Sequence, residues 1–194
     1  MKTRNQNLKV AVVIALFAML LTSASCQDKK GSAQESQSSS KVKPPQVDIH
    51  TAVVSGNLDA VRLHIAAGSD INVKDPFGGS SPLISAAVFG KTDIAKALID
   101  AGAALNVQNN DGSTALHCAA FFCRPEIVKM LLDKKVDKSI KNRFNATAYE
   151  SMVTPFKDVK PVYEMMANAL GPMGLKFDYA YVEKTRPEIA AMLK

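Results

Sequence analysis

Gly90-Lys91-Thr92-Asp93 is the middle one of three stretches in register. Gly56-Asn57-Leu58-Asp59 stands 34 residues before it and Cys123-Arg124-Pro125-Glu126 33 residues after it. Other positions keep the same spacing: Ala52, Ala86 and Ala119, then Asn72, Asn106 and Ser139. A fixed period of this length marks a chain built from one repeated supersecondary unit, each copy burying its apolar face against the next.

The content of one period identifies the unit. In the second copy Pro82-Leu83-Ile84-Ser85-Ala86-Ala87 opens a helix that Gly90 ends. Ile94-Ala95-Lys96-Ala97-Leu98-Ile99 follows as an antiparallel partner before Gly102, its apolar positions forming one helical stripe. Ala119, Ala120, Ile127, Val128, Leu131 and Leu132 repeat the pattern. The small residues Ala86, Ala87, Ala119 and Ala120 let neighbouring helices approach closely. Between copies run Gly79-Ser80-Ser81-Pro82-Leu83 and Asp111-Gly112-Ser113-Thr114-Ala115-Leu116-His117, with a weaker echo at Asn145-Ala146-Thr147-Ala148-Tyr149.

A turn and two short helices every 33 residues or so resembles the ankyrin repeat. The resemblance implies an all-α solenoid of about four helix-turn-helix repeats with short loop or β-hairpin fingers and a C-terminal helical cap. The copies would span 47–78, 79–111, 112–144 and 145–170, with the cap at 171–194. It also implies that the chain holds another protein.

The outer copies depart from the pattern. The first has Asp48 where the later ones have Pro82 and Ala115, and His64 where they have Leu98 and Leu131, as a wet end face requires. In the fourth, Lys160-Pro161 displaces the apolar pair and the second helix is expected to turn Val162, Met165, Met166, Ala169 and Leu170 inward. Past Gly171-Pro172, Asp178 to Val182 reads as a short helix. Thr185 and Glu188 form a capping box for a last helix carrying Ile189, Met192 and Leu193. Pro76 reads as the inserted residue that makes the first spacing 34.

The first residues have a different composition. Lys2, Arg4 and Lys9 precede the apolar run Val10 to Leu21, and Thr22-Ser23-Ala24-Ser25-Cys26 supplies small residues, which together read as a bacterial export signal over 1–25. Cys26 is a candidate lipidation site. The alternative is ordinary cleavage near Ala24 or Ser25, because Ser23 stands where a lipoprotein signal usually carries Leu. Residues 26–46, rich in Ser, Lys and Gln and ending in Pro44-Pro45, read as a disordered polar tether. The expected location is the periplasm or a lipid-anchored place in the cell envelope. Three cations behind the formal charge of +6 lie in the leader. The rest are scattered, which argues against a nucleic-acid partner and leaves membrane contact only through the anchor.

Few residues offer chemistry. His50 and His117 fall where the resemblance places an imidazole bridging neighbouring repeats, and His64 reads as a surface residue. No metal, cofactor or catalytic residue is expected. Cys118 and Cys123 invite a disulfide in an oxidising compartment, although five helical residues would hold them too far apart. Lys135 replaces the glycine of Gly68 and Gly102 in a left-handed exit turn.

The candidate partner-binding residues are Val88, Phe89, Phe121 and Phe122, which precede the inter-helix turns and would form an exposed apolar strip on the concave face. Burial of one phenylalanine of each pair by the C-terminal tail or by a bent third repeat is the alternative. Phe77, Asn109, Asn110 and Arg143 at the loop tips complete the set. The expected function is a non-enzymatic, monomeric protein-binding module in the envelope. The alternative is a regulatory or accessory subunit of an envelope enzyme, for instance in oxidative-stress defence.

Overall fold

The computed structural model describes residues 42–194. The expected export signal and Cys26, with all but the last five residues of the expected tether, lie outside them. Among the described residues nine α-helices follow one another: α1 (Ile49–Ser55), α2 (Leu58–Ala66), α3 (Pro82–Phe89), α4 (Thr92–Asp100), α5 (Ala115–Phe121), α6 (Pro125–Asp133), α7 (Ala148–Met152), α8 (Phe156–Leu170) and α9 (Tyr179–Leu193), with a 3-10 turn at Gly171–Met173. The fold is an all-α repeat stack. Its fingers are hydrogen-bonded turns, and no strand forms among the described residues.

Each first helix starts on a side-chain cap. Asp48, Ser81, Thr114 and Thr147 accept from the backbone N–H three residues on, satisfying a donor with no partner inside the helix. Proline at the first helical position of α3 and α6 costs nothing, because that N–H has no intrahelical acceptor. The first helices α1, α3, α5 and α7 pack side by side in one row, while α2, α4 and α6 form the second. Ala52, Ala86, Ala87, Ala119 and Ala120 are fully buried between them, as are Ile84, Ala95, Leu98, Ile127, Val128 and Leu131. Burying each large aliphatic side chain contributes about 1.5–3 kcal/mol.

The backbone repeats as strictly as the core. Positive φ recurs at three places per copy: Gly56, Gly90 and Cys123 at the inter-helix turn, Gly68, Gly102 and Lys135 at the exit of the second helix, and Gly79, Gly112 and Asn145 in the finger. Lys135, at φ 56, takes the expected left-handed conformation. Cys123 and Asn145 take it too, at φ 53 and 57. The third inter-helix turn, the third exit turn and the third finger therefore hold side chains in the left-handed region where the earlier ones have glycine. The expected insertion at Pro76 agrees with the spacing, since Asp75 and Asn109 stand 34 apart but Gly79 and Gly112 only 33.

The C-terminal region differs from the expectation. The helix that packs beside α6 and α7, in the place of a fourth second helix, is α9 and not α8. It runs the same way as α6. Val182 near its start receives the Cys123 thiol on its carbonyl (3.8 Å), and Leu193 at its end receives the Lys138 ammonium (3.2 Å). The two helices expected on either side of Thr185 are one, capped by Asp178 through the Tyr181 N–H, and Thr185 is buried inside it. Thr185 and Glu188 thus cap nothing. In α8 the buried residue is Tyr163, whereas Ala169 is exposed and Val162, Met165, Met166 and Leu170 are half-buried. The inward stripe expected there is corrected accordingly.

Candidate partner-binding surface

The finger tips are built by one side chain per copy. Asp75 accepts from the N–H groups of Phe77 (2.8 Å), Gly78 (2.7 Å) and Ser80 (2.6 Å). Asn109 does the same for Asp111 (3.0 Å) and Ser113 (2.9 Å), and Asn142 for Phe144 (3.0 Å) and Ala146 (3.2 Å). Asp and Asn suit this because a short side-chain oxygen can replace a backbone acceptor within a turn. Burial raises the Asp75 pKa, but the donors Gly78, Phe77 and Ser80 outweigh it and hold the carboxyl below its ordinary value.

Neighbouring fingers are tied together. The Asn110 N–H donates to the Gly78 carbonyl and the Arg143 N–H to the Asp111 carbonyl, both at 2.9 Å. The side-chain oxygens of Asn72 and Asn106 accept from Ala104 (2.8 Å) and Asp137 (3.2 Å) one copy further on. On this fixed frame stands Phe77, 88% exposed. The Asn110 amide reaches the Phe77 carbonyl (3.4 Å), and Arg143 pairs with Asp111 (2.9 Å) while lying over the Phe144 ring. Phe77, Asn110 and Arg143 thus share one row. Asn109 belongs to it as a brace, its oxygen spent on the turn.

The first-helix ends are arranged otherwise. Val88, Phe89 and Phe121 are half-buried against the core, and Phe122 is only 6% exposed. An open apolar strip across all four, as expected from their spacing, is therefore absent. The C-terminal segment covers its third-copy half. Tyr163 stacks on Phe121 at 4.5 Å and 10°, and Phe177 stacks on Phe122 at 5.8 Å and 19°. The Tyr163 hydroxyl donates to the Phe121 carbonyl (2.6 Å) and accepts from Arg186 (2.9 Å).

Arg186, 2% exposed, also donates to the carbonyls of Ser151 (3.1 Å), Met152 (3.1 Å) and Thr154 (2.8 Å). It satisfies the end of α7, where helical carbonyls have no partner of their own. Neither Tyr163 nor Arg186 is among the residues that the sequence singles out. The available signal is the α9 stripe Val182, Ile189 and Leu193, on whose face Arg186 also lies.

Residues 49–142 match the family model described as ankyrin repeats (3 copies). These residues carry ankyrin repeats. Similar curated proteins match about a third of the chain. The chain is 44% identical over 64 residues to protein phosphatase 1 regulatory subunit 27 of Homo sapiens, covering 33% of this chain and 41% of that protein. It is 36% identical over 67 residues to protein phosphatase 1 regulatory subunit 12A of Mus musculus, covering 34% and 6%. It is 32% identical over 69 residues to an ankyrin repeat-containing protein of Schizosaccharomyces pombe, covering 36% and 33%. The chain thus spans less than half the length of each.

Within the ankyrin stack His117 makes the bridge that the resemblance implies. Its Nδ1 lies at 2.9 Å from the Thr114 hydroxyl and accepts from the Thr114 N–H (3.3 Å), so Nε2 carries the proton and donates to the Ala146 carbonyl of the next copy (3.1 Å). Burial lowers the His117 pKa below 6.5, with the Ala146 bond acting weakly the other way. His50 does not match this. Helix α1 is capped one residue late, at Asp48, so Thr51 occupies the bonding position. Both ring nitrogens of His50 are enclosed without a partner among the described residues. His64 is not a surface residue as expected: it is 7% exposed and tied to Ser69 (3.1 Å) and the Val47 carbonyl (2.8 Å).

Cys118 and Cys123 are both free and buried, so the disulfide does not form. Burial pushes their thiols up to about 12 and about 11. Thiols protonated at neutral pH are poor nucleophiles. Among the described residues no three His, Cys, Asp or Glu side chains gather as metal ligands, and no helix is long and apolar enough to cross a membrane.

Proposed function

We propose that the chain is a non-enzymatic adaptor of the bacterial envelope that holds a protein partner on its finger row, with Phe77 as the anchor and Asn110 and Arg143 as the flanking polar contacts. The observation that carries this reading is the exposure of Phe77 on a backbone already fixed by Asp75 and by the next finger. A rigid, exposed aromatic loses little conformational freedom on binding and contributes a large contact area. Val88 and Phe89 add a half-buried apolar margin, while Phe121 and Phe122 are engaged by the protein's own aromatics. The buried thiols weigh against a redox-sensing role.

A second reading is favoured by the relatives that are phosphatase regulatory subunits: this chain is a regulatory subunit of an enzyme. Export and attachment through Cys26 belong to the same proposal. Cross-linked capture from membrane fractions tests it, with Phe77→Ser and Arg143→Ala beside the wild type. The expected result is one set of envelope proteins lost in both variants at unchanged melting temperature. Capture that survives both substitutions in folded protein rejects the finger row. A single enriched enzyme selects the regulatory reading. Labelling with a fatty acid that persists in Cys26→Ser rejects the anchor.

A further inference from the structure

Arg124 stands apart from the other arginines of the stack. Arg62 and Arg143 each pair with a carboxylate, as do Lys96, Lys129 and Lys160. The buried Arg186 is surrounded by carbonyls and the Tyr163 hydroxyl. Arg124 is half-buried at the turn between α5 and α6, and it forms no ion pair among the described residues. Its Nε is enclosed without a partner. The one hydrogen bond of its guanidinium, from Nη2 to the Val88 carbonyl, is long at 3.4 Å. Nη1, without a bond among the described residues, stays at the surface. Burial lowers the Arg124 pKa, while Cys123, Tyr181 and Glu126 lie near enough to act on its charge in the other direction.

The preceding turn holds the guanidinium in place. A Cβ on Gly90 would lie 2.8 Å from Nε and 2.9 Å from Cζ, so the arginine as well as φ 64 requires glycine there. Lys91 lies over Gly56 in the same way one copy earlier, its ammonium 3.2 Å from where a Cβ would be. Neither cation caps its helix, whereas Asn57 at the matching position of α2 does. Asp93 and Glu126, two residues further on, form no ion pair with them. Local structure therefore gives no use for either charge.

A guanidinium held half out of water without a counter-charge costs stability. The same state favours binding, because the cation is fixed and partly dehydrated before an anion arrives. The planar fork of arginine suits a carboxylate, which it takes by two parallel bonds.

We propose that Arg124 anchors an acidic side chain of the protein partner. The Nη edge receives the carboxylate of an aspartate or glutamate, with Lys91 and the 43% exposed Tyr181 beside it. Val88 and Phe89, half-buried, take an apolar residue next to that acid. Charge complementarity selects this occupant, since two successive turns present cations that nothing in the chain pairs. The proposal rests on the reading of the chain as a protein-binding module. It belongs to the inter-helix turns and does not involve the fingers.

The test uses two probes on the full chain: a short peptide with one glutamate between two leucines, and the same peptide with glutamine in that place. The glutamate peptide should move the Arg124 Nε–H resonance and the backbone amides of Val88, Phe89 and Lys91. It should bind about tenfold tighter than the glutamine peptide, the difference shrinking as salt is added. In Arg124→Met the two peptides should bind alike, while the melting temperature holds or rises because an uncompensated charge is gone. In Phe77→Ser the preference for glutamate should persist, which tells failure of this site from failure of the finger row. Equal binding of both peptides to the wild type, no binding of either, or shifts that avoid Arg124 would overturn the proposal. So would a fall in the melting temperature of Arg124→Met, which would make the arginine a brace within the fold.

Discussion

Arg186 Nη1 donates to the Tyr163 hydroxyl at 2.9 Å, and that hydroxyl donates in turn to the Phe121 carbonyl at 2.6 Å. One guanidinium thereby connects α9 to α8 and, through the ring, to α5, while its other nitrogen closes the end of α7. Carbonyl dipoles and the Tyr163 ring, 5.9 Å away, stabilise its charge. Arg186→Met should destabilise by about 3 kcal/mol, because the carbonyls of Ser151, Met152 and Thr154 lose their donor inside the protein. Urea melts measure this, and a loss below about 1 kcal/mol would show that α7 ends without help from Arg186.

The left-handed positions predict opposite signs for opposite substitutions. Lys135 is exposed at φ 56, so Lys135→Gly should stabilise by about 0.5–1 kcal/mol, removing strain at a side chain that stands in solvent. Gly102→Lys, at the matching turn of the previous copy, should destabilise by a similar amount. The same sign for both changes in thermal melts would contradict the periodic assignment.

Glycine in the fingers is required by space as well as by φ. A Cβ on Gly79 would clash with the Asn110 side chain, and one on Gly112 would lie 3.0 Å from the Arg143 backbone nitrogen. On Gly68 it would meet nothing within 4 Å. Gly112→Ala should therefore cost about 1–3 kcal/mol more than Gly68→Ala, since φ is positive at both and only one is crowded. Equal costs would mean that the fingers do not stack as described.

His117 gives a pH dependence of definite sign. Its folded pKa is lowered by burial from 6.5, so the unfolded chain takes up the proton first as pH falls. Stability from the neutral ring is thus fully present above 6.5 and is lost progressively as pH drops below it. The stability difference between wild type and His117→Gln should shrink from pH 7.5 to pH 5. A difference that grows over the same range would contradict the assignment of a neutral ring donating to Ala146.

The repeat period, the paired helices and the glycine turns are legible in the sequence because each is a local pattern stated several times. The first three copies thus follow from spacing alone. The fourth does not, because its second helix does not follow its first. Tyr163 lies in α8, which occupies the sequence position of that helix, while α9 occupies its place in space. In α9 the apolar stripe is interrupted by Thr185 and Arg186, both buried; Arg186 shares the face of Val182, Ile189 and Leu193, but that placement alone does not tell a buried arginine from one at the edge of a solvated face. His50 departs from its expected bridge for a smaller reason, a cap shifted by one residue to Asp48. Phe122 reads as exposed because its cover comes from Phe177, which follows it by more than a full period.

The exposed finger row is the central claim, and site-specific photo-cross-linking tests it most directly. A photoreactive residue at Phe77, Asn110 or Arg143, in the full chain expressed in whole cells, should give one common cross-linked partner band at all three positions. The same residue at Lys96 or Lys129, on the outer faces of α4 and α6, should give none. Cross-links confined to Lys96 and Lys129, with positions 77, 110 and 143 silent in folded protein, would contradict the account.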